Sequence, residues 1–384
     1  MWSKWGGSWL VAFVAAGVSA CGGEREDPAL SGVTAITVGT ETSCALIDDG
    51  SVRCWGFNFS GQFGTASPAS AWSAVAVPHV ADAMSVSVGV SHACAALADG
   101  SVKCWGELLG PSGGTKTPSP AIPVDGVEAA KMVAAATYHS CALRTDGRVQ
   151  CWGNGALVPL GDGSLSTTPF PVSPRTVTVA ELSDATAVAV SHSSSCALRE
   201  NGEVKCWGDT LDDTSADETG RFLNMYTPTP RLVEDLPSAA GIALGSMYGC
   251  AVLRDGTVAC WGRVPVVMGG SRGGSPIPVA VGGLSDVAAV SARDSHACAL
   301  LKDRTIRCWG ANPSGQLGDG SEVSSEVPVR VQGIDNAIAV AVGSSLSCAL
   351  LADGTVRCWG AWAKGCTDAG CTASSSPQVV RVAQ

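Results

Sequence analysis

The chain has 384 residues, and its aromatic (5%) and charged (15%) contents are low beside 47 glycines, a composition of many short strands and turns rather than of long charged helices. Its formal net charge is −10, and because Lys4 is the only charged residue before Cys21 the rest of the chain stands at −11. With no run of Lys or Arg to oppose that sign, the charge argues against nucleic acid as a partner.

The first residues are a separate text, MWSKWGGSWLVAFVAAGVSACGG. Lys4 supplies a positive start, residues 9–18 an apolar core too short to span a bilayer, and Val18, Ser19 and Ala20 precede a cysteine, the layout of a signal peptide. VSAC resembles the bacterial lipoprotein lipobox; that resemblance implies cleavage before Cys21 and acylation of Cys21, a membrane anchor once two or more chains are attached. The polar, Gly-rich stretch behind it reads as a tether. The absence of Asp after Cys21 fits an outer-membrane address. A plain secretory signal with a chance cysteine is the alternative. The expected organisation is a leader over 1–20, a lipidated cysteine and tether over 21–31, and one folded unit over 32–384.

That unit is written in copies. CALIDDGSVRCWG at 44–56 recurs, varied, from Cys94, Cys141, Cys196, Cys250, Cys298 and Cys348, a period of about 51 residues that marks a solenoid, propeller or array. Each copy folds about a three-residue loop with Gly at the position needing a left-handed backbone, except that copy six has Arg304, whose hairpin should be strained or differently looped. This register sets Cys44 opposite Cys54, and likewise Cys94 and Cys104, Cys141 and Cys151, Cys196 and Cys206, Cys250 and Cys260, Cys298 and Cys308, and Cys348 and Cys358. A cross-strand disulfide is allowed there, and an exported chain meets an oxidising compartment. Seven reduced, buried pairs are the alternative. Zinc is the weaker reading, since two facing thiolates do not make four ligands. Of the remaining cysteines, Cys366 and Cys371 flank a turn and either close a local loop or stay free.

Ahead of the hairpins runs a second phrase, clearest in EVPVRVQGIDNAIAVAVG at 326–343: a Pro-led strand, a turn and a further strand. With the two hairpin arms this makes four strands per period, a propeller blade. The first hairpin has no Pro-led strand before it, and the last such phrase, at 377–384, has no hairpin behind it. The expectation is therefore an all-β, seven-bladed propeller of four-stranded blades, its first blade completed by Val379–Val382, which would remove the open sheet edges.

The Trp-Gly pairs at the end of every copy, and the phrases WGFNFSGQFG at 55–64, WGANPSGQLGDG at 309–320 and, in part, WGNGALVPLGDG from Trp152, resemble the regulator of chromosome condensation repeat, a seven-bladed β-propeller. The resemblance covers about residues 32–383. It implies that His92, His139 and His296, at the repeat's usual histidine position, hydrogen bond inside their own blades. The leader and the acidity argue against the nuclear exchange and chromatin roles of the founding member, and fold alone carries no function.

No chemistry stands out. The seven tryptophans recur identically and read as packing between blades. GGSRG at 269–273 matches the Gly-x-Ser-x-Gly pattern around Ser271, but without the strand and helix that a nucleophile elbow needs. GDG at 161–163 and 318–320 offers too few oxygens for calcium. No cofactor or metal is expected. Individuality lies in the loops, where Trp72, Phe222, Met225, Tyr226 and Trp362 either form a binding face or cap the rim. Three functions are open: a monomeric, membrane-anchored, extracytoplasmic module that binds an unidentified protein without catalysis; an inhibitor of a secreted or periplasmic enzyme; or a hydrolase or lyase with a site in the central channel.

Overall fold

A computed structural model describes residues 30–107, 119–154, 160–164, 172–209, 226–262, 275–361, 366–367, 370–371 and 374–382. The leader, Cys21 and its tether lie outside the described residues. Seven antiparallel blades of four strands follow one another around a ring, and among the described residues there is no helix.

Blade one shows the plan. β1 (Val33–Val38), β2 (Thr42–Ile47), β3 (Val52–Phe57) and β4 (Ser70–Ala76) pair in sequence order. The hairpin register is the expected one, with Leu46 facing Val52, Ala45 facing Arg53 and Cys44 facing Cys54. All seven hairpins are bridged, at Cα separations of 4.0 to 4.1 Å. The loops are closed by a side chain: Asp49 Oδ1 accepts the Ser51 N–H at 2.8 Å, and Asp99, Asp146, Asn201, Asp255, Asp303 and Asp353 do the same two residues on, the Asx turn that such residues favour. Arg304 does not change the loop. It takes a left-handed φ of +68°, just below the 77° to 88° of its glycine counterparts, and its N–H still reaches Leu301 O at 2.9 Å.

The blade boundaries differ from the expected ones by one strand. The Pro-led strand belongs to the hairpin before it: Val75 faces Cys54 across β3 and β4, and Val329 faces Cys308. Blade one therefore owns its fourth strand at Ser70–Ala76, and Ser374–Val379 is the fourth strand of blade seven, with Val379 opposite Arg357. Val379–Val382 does not complete blade one. Two of its residues, Arg381 and Val382, instead run parallel beside Ser73 and Ala74 on the outer edge of β4, and Leu30 N–H donates to Val380 O at 3.2 Å.

Period-two alternation turns one face of each blade's hairpin toward the next blade, and the core divides into seven layers between blades. Trp105 of blade two packs on Cys44, Cys54 and Phe63 of blade one; Trp359 of blade seven packs on Cys298, Cys308 and Leu317 of blade six; Trp55 of blade one packs on Cys348 and Cys358 of blade seven. Trp152, Trp207, Trp261 and Trp309 take the same place in the other layers. A disulfide on one side and an indole on the other thus form each interface, which accounts for both residues recurring in every copy.

Candidate functional site

Antiparallel pairing sorts the connections onto two faces. The hairpin loops and the links between blades lie on one. On the other lie the turns that join each first strand to its second, around the axis, and outside them the ends of the third strands and the starts of the fourth. The connections whose length varies between copies, those from third to fourth strands, begin and end on this second face.

Blades one and six carry the fully described connections of that outer rim. Asn58, 2% exposed, gathers its loop: its Nδ2 donates to Thr65 O and Pro68 O, and its Oδ1 accepts Phe63 N–H at 2.8 Å. Asn312 does the same in blade six, accepting Leu317 N–H at 2.9 Å. The loop then reaches the neighbour, where Gln62 O accepts Trp105 Nε1–H at 2.7 Å and Gln316 O accepts Trp359 Nε1–H at 2.9 Å. Above this frame the ring of Phe57 stacks on Phe59 at 5.0 Å and meets Trp72 edge-on at 5.2 Å, leaving Phe59 66% exposed. Trp72 therefore sits on β4 rather than in a loop, half-buried by its own blade. Phe222, Met225 and Trp362 lie outside the described residues, as does the side chain of Tyr226, whose backbone opens the fourth strand of blade four opposite Asp209. Ser271 also lies outside them. Cys366 and Cys371 face each other across a two-stranded ribbon; their side chains lie outside the described set.

Around the axis two further rings follow from the repeat. The residue five before the first cysteine of each hairpin is small in six blades: Gly39, Gly89, Gly245 and Gly343, with Ala136 and Ser191. The reason is contact, because a Cβ on Gly39 or Gly343 would run into the backbone oxygen of the next blade's ring residue. Blade six breaks the rule with Arg293. Its Nη1 reaches Val88 O at 3.2 Å and Val38 O at 3.5 Å, in blades two and one, so the side chain crosses the axis. Burial lowers the Arg293 pKa from its ordinary value, with Asp294 opposing.

The next residue, polar in every turn but that of blade two, where it is Val90, makes a belt. Thr137 Oγ1 lies 2.9 Å from His192 Nδ1 in the following blade, and Ser246 Oγ donates to Asp294 Oδ1 at 2.5 Å. Asp294 holds a left-handed φ of +44°, uncommon for a non-glycine residue. Burial raises its pKa, but the hydroxyls of Ser246 and Ser344 and the charges of Arg293 and His192 outweigh that and hold the carboxyl below its ordinary value. Sequence reasoning missed both rings, although lining the copies up on their first cysteines shows Arg293 against its small counterparts.

The three histidines of the repeat serve the framework, though not inside their own blades. His92 Nε2 lies 2.8 Å from Ser140 Oγ, His139 Nε2 2.6 Å from Ser195 Oγ and His296 Nε2 2.9 Å from Ser347 Oγ, each in the next blade. A second-strand histidine cannot be satisfied within its blade because this position faces the interblade layer. The two GDG turns are also structural: Asp162 Oδ1 accepts Ser164 N–H, and Asp319 Oδ1 accepts Ser321 N–H, both at 3.0 Å. Among the described residues, no three His, Cys, Asp or Glu side chains gather to hold a metal ion.

Two models of the regulator of chromosome condensation (RCC1) repeat match the chain, one over 308–350 and the other over 33–62, 85–107, 133–156, 185–210 and 287–316. No curated protein sequence matches it. Among solved structures it is similar to Prp20p from Saccharomyces cerevisiae, described with its binding to Gsp1p and histones, at 20% identity, over 82% of this chain and 81% of that one, with a TM-score of 0.70. Yeast RCC1 (Prp20) bound to Kap60 matches at 19% identity, 81% and 78% coverage and a TM-score of 0.69. Human WBSCR16 matches at 20% identity, 86% and 94% coverage and a TM-score of 0.72. At these identities the likeness is one of fold. Repeat matches from residue 33 to residue 350 and a ring of seven four-stranded blades agree: the chain belongs to the RCC1-repeat family.

Proposed function

We propose that the protein is an extracytoplasmic binding module, held to a membrane through acyl chains on Cys21, that recognises a protein partner with its divergent-loop face and performs no chemistry of its own. The observation that carries this reading is the bridging of all seven hairpins, since such bonds belong to an oxidising compartment. The start and end of every length-variable connection on one face support a single recognition surface, and the exposed ring of Phe59, backed by Phe57 and Trp72, is the kind of aromatic anchor that interfaces use. Leu30 enters the ring on the opposite, hairpin-loop face, so an anchor at Cys21 would turn the divergent loops away from the membrane. The histidines are committed to the framework, which leaves them no catalytic part. Protein recognition is also what the yeast structures describe for their propeller, with Kap60, and with Gsp1p and histones; only the habit of binding proteins is carried over here, and the partner differs.

Two experiments test this. Cys21→Ser should fold and pass from the detergent phase to the aqueous phase; retention in detergent would overturn the anchor. Crosslinking in intact cells, repeated with the Phe59→Ala/Trp72→Ala double variant, should lose its partner band; an unchanged band would remove the aromatic rim from the interface.

A further inference from the structure

Arg293 stands where four sister blades have glycine, and it is the one ring residue long enough to cross the axis. Arg293 is partly exposed at the axis, and what its guanidinium meets is modest. Nη1 is shared between two backbone carbonyls, at 3.2 and 3.5 Å, and among the described residues no carboxylate lies within 4.0 Å of it and Nε and Nη2 have no hydrogen-bond partner. Asp294, the adjacent acid, is turned to the belt and accepts Ser246. A second ring residue is also unsatisfied: Ser191, 8% exposed, has a buried hydroxyl with no partner among the described residues. A planar guanidinium with two free donor edges matches the paired oxygens of a carboxylate or phosphate.

We infer that the axial mouth of the divergent-loop face is an oxyanion site, with Arg293 as its cationic floor and the Ser191 hydroxyl as a further donor. The site takes one carboxylate or phosphate group, either a free ion or an acidic group at the tip of a bound polypeptide, and it stands whether or not the lipid anchor and the partner-binding role hold. Four sister blades already carry glycine here, so Arg293→Gly removes the charge while keeping a residue the ring accommodates.

The test uses the full-length oxidised protein in detergent and titrates sodium acetate and sodium phosphate against sodium chloride at matched ionic strength. The readouts are calorimetry and the Arg293 side-chain Nε–H resonance. Saturable binding and a shifted Nε–H signal are expected for the native protein, with binding at least tenfold weaker in Arg293→Gly. No saturable binding by the native protein, or equal binding by the variant, would overturn the site. If Arg293→Gly does not fold, Arg293→Ala and Arg293→Ser repeat the residues of blades three and four and take its place. A glutamate-terminated peptide and its amide counterpart settle the source: binding tighter than acetate and lost in the amide assigns the site to a bound polypeptide, and equal binding of acetate and peptide assigns it to a free ion.

Discussion

The imidazole Nε2 of His92 lies 2.8 Å from the hydroxyl of Ser140 in the next blade, and the same pair joins blades three and four and blades six and seven. Histidine occurs at this position only where the following blade offers serine. The proton arrangement is fixed in one pair, because Ser347 donates its single proton to Gln316 O at 3.0 Å, so His296 must donate from Nε2. At the junction of blades seven and one a serine stands without its histidine: Leu346 takes that place, and the buried hydroxyl of Ser43 has no partner among the described residues.

One substitution should therefore have opposite outcomes at equivalent positions. Ser140→Ala, Ser195→Ala or Ser347→Ala leaves a buried imidazole nitrogen unpaired and should cost about 1–3 kcal/mol. Ser43→Ala removes an unsatisfied hydroxyl and should be neutral or stabilising by up to about 1 kcal/mol. Denaturant unfolding of the four single variants measures this directly, and equal losses at all four would show that the hydrogen bond is not what matters.

Acid should loosen the ring in a defined window. Burial lowers the pKa to about 4 for His92 and about 3 for His139 and His296, whereas in the unfolded chain each protonates near pH 6.5. The unfolded state binds more protons between those limits, so stability is complete above about pH 6.5 and falls as pH drops toward 4, by up to about 1.4 kcal/mol per pH unit for each histidine. The hairpin aspartates, whose carboxyls Ser51, Ser101 and Thr257 hold below the ordinary range, lose their contribution only at lower pH. Thermal melts from pH 7.5 to 4.5 should show the decline, and replacing the three histidines by glutamine should flatten it; an equal slope in the variant would place the titration elsewhere.

Reduction should be selective. The cysteines of six bridges are at most 3% exposed, whereas Cys206 is only half-buried beneath Trp261. Under native conditions a thiol reductant should open Cys196–Cys206 first and leave the other hairpins bridged until the protein unfolds. Alkylation and peptide mapping over time would identify the first free thiols; any other pair ahead of this one would contradict the ranking by burial. Removing one bridge as a Cys→Ala pair should cost about 2–3 kcal/mol.

The hairpins were legible because their signal is local: ten residues between cysteines and a turn residue midway fix the register of Cys44 on Cys54 without knowledge of any neighbour. The blade boundary was not, because a periodic sequence reads the same whether the Pro-led strand is grouped with the hairpin before it or after it. Only pairing, Val329 on Cys308, decides. The same limit hid the contacts between blades. His92 and Ser140 are 48 residues apart, and Arg293 and Val38 are 255 apart; each becomes a pair only when the ring is closed.

The ends of the chain give the sharpest test of that correction. Val380 is buried against blades seven and one, takes the Leu30 N–H, and leads into Arg381 and Val382 beside β4. Deleting 380–384 leaves all seven blades with four strands but removes this junction, and deleting 377–384 also takes half of the fourth strand of blade seven. The first deletion loses one buried valine, its backbone bonds and a short edge pairing, about 2–4 kcal/mol by the scale of core truncations. The second uncovers the third strand of that blade and should cost distinctly more, with aggregation from the exposed edge. Melting temperature and light scattering of both truncations, oxidised and at equal concentration, separate the cases. If the two deletions were equally damaging, the strand at Ser374–Val379 would contribute nothing beyond the junction. If neither changed the melting temperature, the contacts at Leu30 and Ser73 would not be holding the ends of the ring together.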